Sequence, residues 1–490
     1  MTYKIYKNQQ MKKIAITFVS ALFVLTSCKN EPKESTAVET QQQEAIAPFE
    51  NKMIENAVLY EANIRQYSPE GTFEAFTRDI PQLKELGVKI IWLMPIYPVS
   101  ETKRKATSGG FVADIEDEAE RAKYLGSYYA ISDYTDVNPE FGTKEDFQNL
   151  VDTAHENGMY VILDWVANHT GWDHHWLTEK PDFYTKNEKG EVIDPLDPNT
   201  GESWGWTDTA DLNYDNKELW EAMTAEMKYW VDEHQIDGFR ADVAGEVPTE
   251  FWEQAIEKIK KSRPVFMLAE SEKKDLFHNA FDMGYNWEGH HIMNEMAQGK
   301  KGVKEWDAYM VKIDSIYEQD DVLLNFVTNH DENSWNGTVK ERMGDASETF
   351  LALTYTLPGM PLIYSGQEYD MNHRLKFFEK DTIPKTKGKV WPVLVKLGDL
   401  KNNITALHGG KDAASYERLT TSANEKVLAF KRGKHGEELI FVANMTKAPV
   451  KFTMDVTGNF EDYFNSKNIA LIGAQELEFQ PWEYKILLKR

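Results

Sequence analysis

From residue 57 onward, short apolar runs of strand length alternate with stretches of helical period. Residues 57–62 form one such run, and Phe73, Phe76, Ile80, Leu83 and Leu86 then recur at three and four residues until Gly87. That spacing predicts a strand followed by one amphipathic helix over 73–86. The next apolar run, 88–94, stops at Pro95. Further runs cover 160–164, 236–242, 265–270, 322–328 and 360–364, with a weaker one at 280–283. Near-continuous apolar strands between amphipathic helices indicate a parallel sheet covered on both faces. Eight such units predict an α/β fold, a (β/α)8 barrel built from residues 51–170 and 216–404. A doubly wound open sheet would place a glycine-rich loop after its first strand, and Glu61-Ala62-Asn63-Ile64-Arg65 is not one.

The pattern breaks in two places. Residues 171–215 are rich in Trp, Asp, Gly and Pro with little periodicity, which predicts a subdomain inserted after the third strand. Beyond residue 404 the runs become short and strand-like, at 427–431, 438–444, 450–454 and 483–488. A C-terminal antiparallel β-sandwich domain over 405–490 is the expectation.

The N-terminus carries a different signal. Lys12 and Lys13 precede an apolar stretch, 14–25, that ends in Leu25-Thr26-Ser27-Cys28. A basic start, a short apolar run and small residues before a cut form the layout of a secretory signal peptide over 1–28. The run is too short to span a bilayer. Its ending resembles a bacterial lipobox, which implies lipidation of Cys28 and attachment to a membrane surface. The outer membrane, its periplasmic side and the cell surface all stay open. Residues 29–50 are polar and aperiodic and read as a flexible tether. Cys28 is the chain's single cysteine, so an intrachain disulfide and a cysteine metal site are excluded.

Composition narrows the partners. Apolar residues make up 41% of the chain, enough for a large core. The formal net charge of −25 argues against nucleic acid and acidic polymers. Fourteen Trp and 22 Tyr suit a neutral ligand read by stacking, such as a sugar, although aromatics also simply fill cores.

In a barrel of this kind the active site lies at the carboxyl ends of the strands. Those ends carry Asp164 with Asn168-His169, then Arg240 and Asp242, then Glu270, then Asn329-His330-Asp331. Charges placed at the ends of apolar strands cost desolvation, and are tolerated where they face a cleft and one another. Arg240, two residues before Asp242, points to the same face as it. Paired carboxylates beside an arginine suit glycoside hydrolysis, which needs one ionised and one protonated carboxyl.

The segments Asp164-Trp165-Val166-Ala167-Asn168-His169, Gly238-Phe239-Arg240-Ala241-Asp242, Glu270 after its strand, and Phe326-Val327-Thr328-Asn329-His330-Asp331 resemble, in order, the signature regions of the α-amylase family, glycoside hydrolase family 13. The stretch from Ser127 to Tyr134, and Ala210-Asp211-Leu212-Asn213, resemble two further family motifs. The resemblance implies Asp242 as nucleophile, Glu270 as general acid and then base, and Asp331 as a binder of sugar hydroxyls. It further implies that His169 and His330 hydrogen-bond the sugar, that Arg240 orients Asp242, and that Tyr129 stacks on the ring. Asn168 and Asp211 match two calcium positions of the family. Gly245 and Glu246 stand where many members carry a Lys-His pair, so part of that calcium site's usual surroundings is missing. Val243 occurs in relatives that prefer α-1,6 bonds. The function implied is a retaining hydrolase of α-glucosidic bonds, mainly α-1,4, in starch-like glucans and maltooligosaccharides. An exo-acting α-glucosidase, a transglycosylase and a non-catalytic glycan binder are its alternatives.

Overall fold

The computed structural model describes residues 49–489. The expected signal peptide with Cys28, and nearly all of the expected tether, lie outside them. Eight strands close into a barrel: β1 (Val58–Ala62), β2 (Val88–Leu93), β3 (Tyr160–Trp165), β4 (Gly238–Ala241), β5 (Phe266–Ala269), β6 (Met283–Tyr285), β7 (Val322–Asn325) and β8 (Met360–Tyr364). Every neighbouring pair is parallel, and β1 closes the ring against β8 through Leu59↔Leu362.

Alternation along each strand divides the apolar residues between two cores. Leu59, Ile90, Trp92, Ile162, Phe266, Leu268 and Leu324 fill the barrel interior, while Tyr60, Ile91, Val161, Leu163, Phe239 and Met267 face the helices. Phe49 packs its ring against Tyr160 and Phe266 of the interior set. Gly238 permits the β4–β5 contact, since a Cβ there would lie 1.8 Å from the Phe266 carbonyl oxygen.

Three expectations change in detail. The helix over 73–86 is broken into Phe73–Thr77, Ile80–Leu83 and a 3-10 turn, Lys84–Leu86. Pro81 has no N–H to continue the ladder and takes a first-turn position instead. Its apolar stripe is nevertheless buried throughout. The sixth strand starts at Met283, where the run at 280–283 ends, because Gly284 and Tyr285 extend it. Gly284 interrupts the apolar pattern, yet a Cβ there would meet Phe277 at 2.5 Å.

The insertion after β3 is not self-contained. Its hairpin pairs His169–Gly171 with Thr209–Asp211, so it begins before residue 171. A second excursion, after β2, carries the hairpin of Lys105–Thr107 and Gly110–Phe111 and packs beside it. The Gly171 N–H donates to the Ile131 carbonyl at 2.7 Å, the Asp173 carboxylate accepts from the Glu101 N–H at 2.7 Å, and Lys105 pairs with Asp208 at 3.3 Å, both buried.

The C-terminal region forms eight strands: β9 (Ser415–Arg418), β10 (Val427–Lys434), β11 (Glu437–Asn444), β12 (Val450–Thr453), β13 (Thr457–Asp462), β14 (Lys467–Ile472), β15 (Glu476–Phe479) and β16 (Tyr484–Lys489). Six make an antiparallel sheet in the order β9-β10-β11-β16-β13-β14, and β12 pairs with β15 in a separate two-stranded sheet. Val427, Ala429, Ile440, Val442 and Leu487 pack beneath that pair with Phe452 and Phe479. Leu428, Phe430, Phe441 and Ile486, on the alternate positions, join the helix-side core of the barrel. Among the described residues no helix is long and apolar enough to cross a membrane.

Candidate active site

The carboxyl ends of β3, β4, β5 and β7 converge as expected, and Glu61 of β1 joins them. Asp164, at the end of β3, is fully buried, and so is Arg240 on β4. Nη1 of Arg240 donates to Asp164 Oδ1 at 2.8 Å and to Asp242 Oδ1 at 3.0 Å. Its Nη2 lies 2.8 Å from Glu270 Oε2, an ion contact without hydrogen-bond alignment. Nε donates to the Tyr285 hydroxyl at 3.3 Å, and the guanidinium faces the Trp92 ring at 4.9 Å. One cation thus grips the three carboxylates of neighbouring strands. Asp164 also accepts from Trp92 Nε1 and the Tyr129 hydroxyl, each at 3.2 Å.

Val243 follows the β4 rim with φ +36° and ψ +46°, a left-handed conformation that is costly for a β-branched residue. The turn aims its N–H at Glu270 Oε2, 2.8 Å away. The turn directly after Asp242 is thereby tied to Glu270.

On the far side of the rim, His330 Nδ1 donates to Glu61 Oε1 at 2.5 Å and Nε2 to the Tyr129 hydroxyl at 2.7 Å. Nε2 is also 3.3 Å from Asp331 Oδ2. Asp331 is the most open of the acids, its side chain 37% exposed, against 11% for Asp242 and for Glu270. The Tyr129 ring lies over His330 with centroids 5.6 Å apart. His169 is buried, with Nδ1 3.3 Å from the Asn168 amide nitrogen and Nε2 without a hydrogen-bond partner.

Charge is unbalanced by design of the strands. Glu61, Asp164, Asp242, Glu270 and Asp331 surround two cationic side chains, Arg240 and His330. Burial opposes charge on His330, but Asp331 and Glu61 outweigh it and raise its pKa to about 9. Burial raises Asp242 and Glu270, Arg240 draws each back, and the neighbouring carboxylates raise them again. This cluster of carboxylates therefore holds a proton above the ordinary carboxylate range. Burial pushes His169 down to about 3 against a hydrogen bond to the Tyr129 backbone, so it is neutral.

Every catalytic and substrate-binding residue read from the sequence lies in this cluster. Glu61, Trp92 and Tyr285 are additions. Glu61 carried the same signal as the others, a charge inside an apolar strand run.

Asn168 and Asp211 lie together at the root of the insertion, where the Leu212 N–H donates to the Asn168 carbonyl at 3.1 Å. Burial raises Asp211 to about 6, and no ion pair offsets its charge among the described residues. No group of three or more His, Cys, Asp and Glu side chains suited to a metal occurs among those residues either. Asn168 and Asp211 thus offer one carboxylate and one amide, donors of the oxygen type that calcium takes, with backbone and water left to supply the remainder.

A closed parallel barrel whose neighbouring strand ends present paired carboxylates to one arginine defines a carboxylate-dependent glycosidase. Residues 38–390 match the alpha amylase catalytic-domain family, and the chain belongs to that family of glycoside hydrolases. It is 25% identical over 492 aligned positions to Alpha-amylase 3 of Dictyoglomus thermophilum, covering 86% of this chain and 90% of that protein. Among solved structures, an alpha-amylase from Lactobacillus plantarum superposes with a TM-score of 0.77 at 27% identity, covering 90% of this chain and 100% of that one. The noncanonic maltogenic alpha-amylase AmyB from Thermotoga neapolitana gives a TM-score of 0.77 at 26% identity, over 89% and 98% of the two chains.

Proposed function

We propose that the protein hydrolyses internal α-1,4 bonds of starch-like glucans and maltooligosaccharides with retention at the anomeric carbon. The observation that carries this reading is the grip of Arg240 on both Asp242 and Glu270. Ionised Asp242 attacks the anomeric carbon while Glu270 gives its proton to the departing glycosidic oxygen. The covalent glycosyl-enzyme then meets water, whose proton Glu270 takes as the new C–O bond forms and the bond to Asp242 breaks. Throughout, Arg240 compensates the carboxylate that is charged at each stage. His330, Asp331 and neutral His169 surround the place where the hydroxyls of the cleaved sugar would sit.

The test uses the form starting after Cys28, with Asp242→Asn as control. Amylopectin, pullulan, maltoheptaose and isomaltose are incubated with each, and products are resolved by chain length. Mixed short maltooligosaccharides are expected, with a loss of at least about ten-thousand-fold in the control. Glucose alone, from short substrates only, would replace this reading with an α-glucosidase. Products longer than the substrate would replace it with a transglycosylase, and no product would remove the hydrolase reading altogether.

Calcium at Asn168 and Asp211 enters the proposal as a structural ligand that would compensate the Asp211 charge and tie the insertion to the end of β3. Export and lipid attachment at Cys28 are proposed on the signal-like layout of residues 12–28. Recovery of the full chain in the membrane fraction, abolished by Cys28→Ala, is the expected result.

A further inference from the structure

Trp335 is 45% exposed, one of few large apolar side chains left open among the described residues. A single exposed tryptophan needs no explanation. This one ends a continuous row of rings that begins in the reaction centre. His330 lies under Tyr129 at 5.6 Å, Tyr129 runs nearly parallel to Phe377 at 6.4 Å and 9°, and Phe377 meets Trp335 at 5.0 Å. Phe378 buttresses both Phe377 and Trp335, at 5.0 and 6.0 Å.

The row is held rigidly. Trp335 belongs to a π-helical turn, Glu332–Asn336, directly after Asp331. Glu332 is buried, ion-paired with Arg342 at 3.4 Å and 3.2 Å from His290 Nε2, and its pKa is lowered to about 2. Ser334 Oγ donates to the Leu375 carbonyl at 3.0 Å, and Asn333 exchanges bonds with His373 and Leu375, so the loop bearing Phe377 is stitched to the same turn. Immobilising an open indole sacrifices its freedom to fold inward, and it prepares a flat apolar face for a ligand at little ordering cost.

Barrel order gives the row a direction. It is carried by loops after β7, β8 and β2, an arc centred between β8 and β1, while Glu270 follows β5 on the other half of the ring. The acid must reach the glycosidic oxygen, so the departing part of the substrate lies on the Glu270 side. Resting on the hydrolase reading above, we propose that Trp335 and Phe377 form a stacking platform for glucosyl units on the non-reducing side of the cleaved sugar, and that this platform sets the preference for long chains over short ones. Pyranose rings present apolar C–H faces, and successive rings of a glucan would meet successive rings of the row.

Trp335→Ala and Trp335→Phe are compared with the unsubstituted protein on maltoheptaose and maltotriose, using reducing-end-labelled maltoheptaose to locate the cut. The ratio of kcat/KM for maltoheptaose to that for maltotriose is expected to fall about tenfold in Trp335→Ala, and to recover in large part in Trp335→Phe. Losing units bound on the non-reducing side should also move the cut toward the non-reducing end, giving longer labelled products. An unchanged ratio, an equal loss on both substrates, or a shift toward the reducing end would overturn the platform while leaving the hydrolase reading intact. Should the unsubstituted protein cleave no α-glucan, titration of Glu270→Gln with maltoheptaose decides. Affinity that drops on adding Trp335→Ala sustains the platform, and equal affinity or no binding removes it.

Discussion

The rim and the base of the barrel both bury cations, and they do so in opposite ways. At the rim, Arg240 and His330 are ringed by carboxylates, and their affinity for protons rises. At the base, Lys401 and Arg432 are equally buried, but their partners are main-chain carbonyls. Lys401 Nζ donates to the Gly359 and Leu407 carbonyls at 2.9 and 2.6 Å. Arg432, on β10, donates to Thr356, the last residue of the helix Ser347–Thr356, at 2.9 Å, and to Ser415 at 2.8 Å. Burial lowers both groups, Arg432 to about 10. A carbonyl carries no proton and no full charge, so the base holds its cations by geometry alone and bolts the C-terminal sheet to a helix end. At the rim the partners titrate, so the electrostatic balance can move as bonds change. Burial of charge thus serves cohesion at one end and proton traffic at the other.

The contrast can be broken experimentally, and the rim should respond most. Glu61→Gln removes the carboxylate beneath His330 and is expected to lower stability at pH 7 by about 3 kcal/mol, because a buried charge loses its partner. His330 is raised in the folded state from an unfolded value of about 6.5 to about 9. Its contribution is therefore complete below about pH 6.5 and lost as pH rises through about 9. Denaturant titrations from pH 6 to 9.5 should show that decline in the unsubstituted protein and a shallower one in Glu61→Gln. Equal slopes would mean that Glu61 does not hold the proton on His330.

At the base, Lys401→Met deprives two carbonyls of their donor, and a loss of about 2 kcal/mol is expected with kcat at 25 °C unchanged. A stabilised variant would show that these carbonyls are content without a cation, and a fall in kcat would show that the two ends are not independent. The smallest effect belongs to Asp211, a half-buried carboxylate with no ion-pair partner among the described residues. Calcium at ten times its dissociation constant should stabilise the form starting after Cys28 by about 1.4 kcal/mol. Asp211→Asn should abolish that gain, and a gain that survives the substitution would move the ion elsewhere.

How far such features could be read from residues alone depends on where their partners lie. The strand-end acids were legible because each interrupts an apolar run, and a charge there has few reasons to exist outside a cleft. Arg240 and Asp242 were legible as neighbours because strand periodicity fixes their common face. His330 was readable as a site residue, but its pairing with Glu61 spans 269 positions and exists only once β1 and β7 approach within the closed ring. The excursion after β2 left no periodic trace, because its short hairpin is held by contacts to the insertion instead of by its own core. Lys401 sits in the helix Val390–Asn403, in a stretch with the polarity of any surface turn, and nothing local announces that a second domain will cover it. Pro81 could have been read as a break, but the uninterrupted apolar stripe around it argued for continuity.

Arg240 on β4 and Asp242 directly after it face the same way because they stand two apart in extended chain. In hereditary terms, the strand behaves like a reading frame. A point substitution at either position harms one function, whereas loss or gain of one residue between Gly238 and Arg240 would turn both side chains into the helix layer at once. Lineages descending from this sequence are free to lengthen the loops between strands, but drift in the length of this segment is closed to them.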